Sequence, residues 1–304
     1  MKGYKGFNKG LICRGKQYAE NTVFEEPEAN ICENGMHFCK NPFDVLNYYG
    51  FVDYNGEPNE FAEVESLDEV KTNDKKKYCT KKLKIGAKLS LAEFIQTCAE
   101  KAKDLNRSED FAKINRSADN IQIGVTGFRP KVVSTGDLSK VAVTRDESKV
   151  ISMGDDSFIV SAGNYSVSTT AGLRSRVVST GYYSKVAATE SKSMAFSVGD
   201  YSSVVTEGRS SHVIVAGNFS TAVSTGVCSK VISKGENCII CCTGCDSRAK
   251  AKKGSWITLA EWKWVEGKAD VVPVCVKTEQ VDGERIKEDV FYTLKDGEFR
   301  EVGS

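Results

Sequence analysis

The chain has 304 residues, of which 27% are charged, and a formal net charge of +1 at pH 7. This length suffices for about two or three compact units with buried cores. No apolar run is long enough to span a bilayer, and the first residues lack the apolar segment of a signal peptide. We therefore expect a cytoplasmic protein whose eleven cysteines are thiols rather than disulfides.

Residues 1–88 alternate aromatic, β-branched and turn residues, a pattern typical of short strands. We predict a small α+β domain here, with a helix over Pro42–Tyr49 and strands over Glu60–Ser66 and Lys81–Ile85. The lysine-rich run of residues 71–77 is expected to be a solvated turn.

Residues 89–126 are predicted to be a helix followed by a linker or terminal cap. Ser90 and Glu93 have the spacing of a capping box, in which each side chain accepts a hydrogen bond from the other residue's backbone amide. Apolar residues then recur on one helical face, which predicts a helix that ends near Leu105.

A nine-residue repeat occupies residues 127–253. A glycine, or Arg145 or Glu190 in its place, recurs at every ninth residue from Gly127 to Gly244, and we call these the frame positions. The third residue after the frame position is Ser in twelve of the fourteen repeats. A short fixed period with turn residues at one end and β-branched residues at the other predicts a β-solenoid with two strands per coil.

Strand alternation predicts which side chains of each repeat lie inside the coil. The third, fifth and seventh residues after the frame position are mostly Ser, then Val, then a small residue, as the inside of a thin coil requires. The fourth, sixth and eighth residues are expected outside, and they include Lys131, Lys140 and Lys149.

One outer face of the solenoid is predicted to be apolar, because alternate repeats stack into the same sheet. A solvated face seldom carries so many large apolar side chains. We predict that the same face of a second chain covers it in an isologous homodimer, or that a terminal domain covers it if the protein is monomeric. The predicted interface residues are Phe158, Val160, Val178, Met194, Phe196, Ile214 and Ile232.

Residues 254–304 are predicted to form a C-terminal β-meander cap, because apolar runs alternate there with Asp-Gly turns. The three tryptophans, Trp256, Trp262 and Trp264, all lie in this segment. We expect them to close the open end of the solenoid core and shield its edge.

Charge and motifs restrict the chemistry. Residues 127–253 carry sixteen basic and ten acidic side chains, so a charged ligand of this region is expected to be an anion, and DNA mimicry is disfavoured. The C-x-x-C-C-x-x-C run from Cys238 to Cys245 lies inside a repeat, where its thiols alternate sides and favour burial over zinc binding. Asp follows the frame glycine only occasionally, unlike in calcium-binding rolls. We expect no metal, no cofactor and no catalytic residues.

One N-terminal stretch resembles ADP-ribosyltransferase domains. The similarity is carried by Gly35–Cys39 (GMHFC), by the segment that follows it, and by Phe61–Glu65 (FAEVE), which match segments that line the NAD pocket in that family. The resemblance implies a ligand pocket in this unit, although His37 stands where the family has tyrosine and Lys5 where it has histidine or arginine. The ligand-binding residues that we predict are Tyr4, Lys5, Gly6, Arg14, His37 and Tyr48.

The chain as a whole resembles a family of uncharacterised phage and prophage proteins. The similarity is carried by Tyr4–Gly15, Gly35–Pro42, the G-x-x-S repeats and Val281–Lys287. It implies a phage origin. We therefore expect a non-enzymatic binding protein of the host cytoplasm that inhibits antiviral defence by sequestering an anionic nucleotide signal or by binding a host protein.

Two other functions are compatible with the sequence. The solenoid can be a structural or virion accessory element. Alternatively, the protein is an ADP-ribosyltransferase-like enzyme that modifies host proteins through Lys5, His37 and a glutamate that the sequence does not identify.

Overall fold

A computed structural model of the chain describes residues 1–50, 53, 59–106, 113–126, 129–266 and 270–303. The chain divides into two compact units, Met1–Leu105 and Asn106–Ser304. It is mainly β, with a solenoid of about eight turns, as the sequence predicts. No helix in these ranges is both long and apolar enough to cross a membrane. Gly127, the first frame position, lies outside the described residues.

The first unit is built on short strands and two helices. They are β1 (Lys2–Phe7), β2 (Ile12–Cys13), β3 (Lys16–Gln17), β4 (Val23–Glu25), β5 (Met36–Cys39), α1 (Pro42–Val45), β6 (Glu60–Ser66), β7 (Val70–Lys71), β8 (Lys77–Thr80), β9 (Lys82–Leu89) and α2 (Leu91–Asn106). Seven strands form one sheet in the order β4-β9-β6-β1-β5-β8-β7. The helix that we predicted over Pro42–Tyr49 ends at Val45, because Leu46 caps it and a turn follows.

The two faces of this sheet pack differently. One face carries a core that includes Phe7, Phe38 and Leu83. On β6, Phe61 contacts Phe94 of α2, with the two rings stacked and their centroids 4.0 Å apart. The predicted capping box starts that helix.

In this capping box, the Ser90 amide donates to Glu93 Oε2 at 2.7 Å and the Glu93 amide donates to Ser90 Oγ at 3.2 Å. Each residue thus satisfies a backbone amide that the first helical turn leaves without a carbonyl partner.

The second unit contains the solenoid, whose strands alternate between two parallel sheets. The strands are β10 (Lys113–Arg116), β11 (Gln122–Val125), β12 (Lys131–Ser134), β13 (Lys140–Val143), β14 (Lys149–Ser152), β15 (Phe158–Ser161), β16 (Val167–Thr170), β17 (Arg176–Ser179), β18 (Lys185–Ala188), β19 (Met194–Ser197), β20 (Ser203–Thr206), β21 (His212–Val215), β22 (Thr221–Ser224), β23 (Lys230–Ser233), β24 (Ile239–Cys242) and β25 (Arg248–Lys250). We call the sheet from β10 to β24 the even sheet and the sheet from β11 to β25 the odd sheet. Each strand pairs with the strand eighteen residues further on, as Val141 does with Ile159.

The frame glycines are required by the close approach of successive coils. A Cβ on Gly154 would lie 2.1 Å from the carbonyl oxygen of Gly136, and a Cβ on Gly181 would lie 2.0 Å from that of Gly163. The residue with left-handed backbone is not the glycine but the one two positions later, such as Leu138 with φ 56°. Space, rather than backbone conformation, therefore selects glycine at the frame position.

Side chains next to the frame position bond one coil to the next. Asp137 Oδ1 accepts a hydrogen bond from the Asp155 amide at 2.8 Å, and Asp155 Oδ1 accepts one from Leu173 at 2.9 Å. Ser175 Oγ accepts from the Ser157 amide at 3.1 Å and donates to the Gly154 carbonyl at 3.2 Å. The exposed Asp carboxylates and the buried Ser hydroxyls therefore satisfy backbone groups of the adjacent coil.

The inside of the coil is as the alternation predicts. The fifth residues of the repeats are almost completely buried and form one continuous core; they include Val132, Val141, Val150, Val177, Val186, Val204, Val213 and Val231. On the outside the two sheets differ. Ile151 of the even sheet is 44% exposed, whereas Val160, Phe196 and Ile214 of the odd sheet are at most 2% exposed.

The apolar face of the odd sheet is thus buried within a single chain. Val178 and Ile232 are also at most 3% exposed, Phe158 is 6% exposed, and Met194 is partly buried. The burial of these side chains therefore does not depend on a second chain. The homodimer stays a prediction, and sedimentation at micromolar concentration tests it.

Two hairpins end the solenoid, one on each sheet. The first consists of β26 (Trp256–Trp264) and β27 (Val271–Gln280), and it extends the even sheet. The second consists of β28 (Phe291–Lys295) and β29 (Glu298–Val302), and it extends the odd sheet.

The prediction that the tryptophans close the core is wrong. Trp256 and Trp264 are exposed, and the indole of Trp262 is partly buried and donates to the Thr243 carbonyl at 2.8 Å. Aliphatic side chains and one tyrosine of the same C-terminal segment close the core instead. They are Ile257, Leu259, Val281, Ile286, Tyr292 and Leu294.

Replacing a frame glycine tests this account of the coil. We expect Gly181→Ala to lower the free energy of unfolding of the second unit by about 1–3 kcal/mol, because the new methyl group overlaps the Gly163 carbonyl. Denaturant titration followed by tryptophan fluorescence measures this, since all three tryptophans lie in that unit. Glu190→Ala is the matched control, because this frame position already carries a Cβ, and we expect a change within about 0.5 kcal/mol. Equal effects would contradict the account.

Candidate functional site

Five of the six predicted ligand residues meet at one small cavity in the first unit. Tyr4, Lys5, Gly6, His37 and Tyr48 line it together with α1 and the segment after it. The cavity has a volume of about 40 Å³, whereas ligand pockets usually enclose about 300–1,000 Å³. The residues are therefore neighbours, but the space between them is too small for a nucleotide. Arg14 is exposed and is not part of the lining.

Lys5 lines this cavity and is itself buried. Its side chain is 5% exposed, and its ammonium donates to the His37 carbonyl at 2.9 Å and to Cys13 Sγ at 3.3 Å. The ammonium also lies 5.4 Å from the ring centroids of Phe7 and Tyr18, so two cation–π contacts stabilise it. Burial lowers the pKa of Lys5. The cation is satisfied internally and is not directed towards a ligand.

His37 is held neutral beside this lysine. Burial, and then the positive charges of Lys5, Lys77 and Arg14, lower the pKa of His37 to about 4. The ring Nε2 accepts a hydrogen bond from the Cys32 amide at 3.1 Å, which requires an unprotonated nitrogen. At neutral pH the imidazole is therefore a structural acceptor rather than a cation for an anionic ligand.

Gly6 and Tyr48 complete the small cavity. A Cβ on Gly6 would lie 2.5 Å from the Tyr49 Cβ, so glycine is needed for the segment after α1 to lie against β1. The Tyr49 hydroxyl donates to Cys13 Sγ at 3.1 Å. Tyr48 is exposed, and Lys77 Nζ lies 4.9 Å from its ring centroid.

A second cavity in the same unit, with a volume of about 880 Å³, is large enough for a ligand. Tyr4 lines both cavities. Burial, and then the charge of Glu63, raise the pKa of Tyr4. We call this larger cavity the cleft; its lining residues with polar or charged side chains are Lys2, Tyr4, Lys40, Asn41, Asp44, Glu63, Glu65, Lys75, Lys84 and Lys101.

The charges of the cleft favour an anion. Its lining contains five lysine and three carboxylate side chains, so the positive side chains exceed the negative ones by two. Where the sheet lines the cleft, Glu65 of β6 is the register partner of both Lys2 on β1 and Lys84 on β9. Asn41 and Asp44 come from the N-terminal end of α1, and Lys101 comes from α2.

Sequence reasoning missed most of this cleft. Lys2 lies in the segment of predicted short strands, and Lys84 lies in the strand predicted over Lys81–Ile85. Lys75 belongs to the run that we predicted to be a solvated turn, and Lys101 lies on the predicted helix outside its apolar face. These residues are far apart in sequence, so no local motif links them. Among the described residues no group of three or more His, Cys, Asp or Glu side chains is placed to hold a metal ion.

Comparison with known proteins adds one match. Residues 1–97 match the family model of a domain of unknown function, DUF7666, so the match covers nearly all of the first unit and about a third of the chain. Neither the curated proteins nor the solved structures give a match.

The pH dependence of the first unit tests the half-buried position of His37. Between pH 6.5 and about 4 the unfolded chain binds a proton at this imidazole and the folded chain does not. We therefore expect the contribution of His37 to the free energy of unfolding to be fully present above pH 6.5. As the pH falls to 4, we expect the free energy of unfolding to decrease by about 2–3 kcal/mol, after allowance for the partial exposure of the ring.

The direct measurement is a histidine NMR titration. The chain has two histidines, so the spectrum of His37→Gln assigns both signals. An ordinary pKa near 6.5 for His37 in the folded protein would show that its imidazole is solvated.

Proposed function

We propose that the protein binds a nucleotide, or a closely related phosphate-bearing small molecule, in the cleft of the first unit and does not transform it. The observation that carries this proposal is a cleft of about 880 Å³ whose lining contains five lysines. Its volume lies within the range of ligand sites, and its excess of positive charge suits a phosphorylated ligand better than a neutral one.

The arrangement of charge suits the different parts of a nucleotide. Lysine ammonium groups bind phosphate oxygens as point charges. The carboxylates of Glu63 and Glu65 accept hydrogen bonds, so they suit the hydroxyl groups of a ribose or the amino group of a base. Tyr4 adds an aromatic surface with a hydroxyl group. A ligand with phosphate at one end and hydrogen-bond donors at the other would use both sets.

Binding without catalysis is favoured by the state of the residues that an enzyme would need. The Lys5 ammonium is satisfied by the His37 carbonyl and Cys13, and His37 accepts a backbone hydrogen bond. Neither residue lines the cleft. The transferase alternative would require another set of catalytic groups, and we place it second.

In the cell, such a protein would act by sequestration. The resemblance to phage and prophage proteins supports a role against a host defence signal in the cytoplasm of the infected cell. The binding unit accounts for one part of the chain, and the solenoid would supply a rigid body for a second contact, such as one with a host protein.

A thermal-shift panel with NAD, ADP-ribose, cyclic dinucleotides, cyclic trinucleotides and mononucleotides tests the proposal. A ligand at a hundredfold excess over its dissociation constant stabilises the folded state by about 2.7 kcal/mol. We expect Lys2→Gln/Lys84→Gln to weaken the bound nucleotide at least about tenfold, which is about 1.4 kcal/mol.

Lys76→Gln/Lys81→Gln is the matched control. It removes two exposed lysines of the same unit that do not line the cleft, and we expect unchanged affinity. Absence of a shift with every nucleotide would rule out the nucleotide ligand. Equal losses in both variants would show a general charge effect rather than a site.

A further inference from the structure

The C-terminal end of the odd sheet carries three cations around one aromatic ring. Lys230 Nζ, the Arg248 guanidinium carbon and Lys250 Nζ lie 6.0, 5.2 and 4.8 Å from the centroid of the Phe291 ring. Lys230 and Arg248 are register partners on β23 and β25, and Phe291 is the first residue of β28. The ring itself is 5% exposed, so the cations lie around a buried apolar surface.

These cations have few partners that compensate their charge. Among the residues that the structure describes, no carboxylate oxygen lies within 4.0 Å of their nitrogen atoms. Arg248 Nη1 donates to the Gly303 carbonyl at 2.8 Å. Otherwise the three side chains share the weak attraction of one ring face.

Repulsion among these cations contributes to the lowered pKa of Lys230. Burial, and then Arg248 and Lys250, lower the pKa of Lys230. His212 precedes Lys230 in the same row of the sheet, and burial, Lys230 and Arg248 lower its pKa as well. A bound anion would relieve this repulsion, because each charge would gain an opposite partner at short range.

We propose that Lys230, Arg248 and Lys250, around the ring of Phe291, form a binding site for the phosphate group of a small anion. A guanidinium group donates two parallel hydrogen bonds to a phosphate, and the two ammonium groups add point charges. The buried ring excludes water from one side of the cations. This site lies in the second unit and does not depend on the cleft of the first.

Melting of the second unit, followed by tryptophan fluorescence, tests this site with inorganic phosphate and pyrophosphate as probes. We expect either probe to raise the midpoint by about 2–4 °C relative to chloride at equal ionic strength. In Lys230→Gln/Lys250→Gln we expect no such rise. Without phosphate, we expect this variant to melt above the unmodified protein, because two mutually repelling charges are gone.

Two further variants separate a site from general charge or loss of folding. Lys149→Gln/Lys185→Gln removes two exposed lysines at the same repeat position of the even sheet, and we expect it to keep the full response to phosphate. Lys230→Arg keeps the charge, and we expect at most a threefold change in phosphate affinity by equilibrium dialysis.

Several results would overturn the proposal. The first is the absence of a rise in melting midpoint of the unmodified protein with phosphate or pyrophosphate. The second is an equal loss of this rise in Lys149→Gln/Lys185→Gln. The third is binding of a single-stranded oligonucleotide when neither small anion binds. If Lys230→Gln/Lys250→Gln does not fold, equilibrium dialysis of the unmodified protein and of Lys230→Arg still tests the site. Equal phosphate concentrations on both sides of the membrane would contradict it.

Discussion

The contact that the solenoid depends on is the approach of one coil's carbonyl oxygen to the next coil's frame glycine. At Gly154 and Gly181 this oxygen would lie about 2 Å from a Cβ atom, so any larger residue there must move the backbone. That approach aligns the strands at a spacing of eighteen residues, so the fourth residues of alternate repeats form straight rows. Lys230 and Arg248 are neighbours in one such row. The repeat therefore brings like charges together that the linear sequence keeps far apart.

The first unit is organised around a different constraint, a buried lysine. Lys5 belongs to β1, and a carbonyl, a thiol and two rings surround its ammonium. Its positive charge helps to keep His37 neutral. The small cavity in this interior has a volume of about 40 Å³, so our proposal places the nucleotide at the other face of the same sheet, with Lys2, Lys84 and Glu65. The unit thus combines an internally satisfied lysine with a separate charged cleft.

The sequence predicted the solenoid well because a strict nine-residue period determines both strand spacing and side-chain direction. The capping box at Ser90 and Glu93 was likewise local, and its hydrogen bonds form as predicted. Contacts between coils were not predictable in the same way. The carboxylates of Asp137 and Asp155 bind backbone amides of the next coil, which becomes apparent only when the coils are stacked. The cleft was missed because its lysines come from separate strands, a turn and a helix.

The most direct test of the account is equilibrium dialysis of the full chain against an equimolar mixture of nucleotides, with mass spectrometry of both compartments. The account predicts that one phosphorylated nucleotide accumulates on the protein side and that Lys2→Gln/Lys84→Gln abolishes the accumulation. Its release in unchanged chemical form after denaturation would establish binding without turnover. Equal concentrations of every nucleotide on both sides, or recovery of a transformed product, would contradict the central claim.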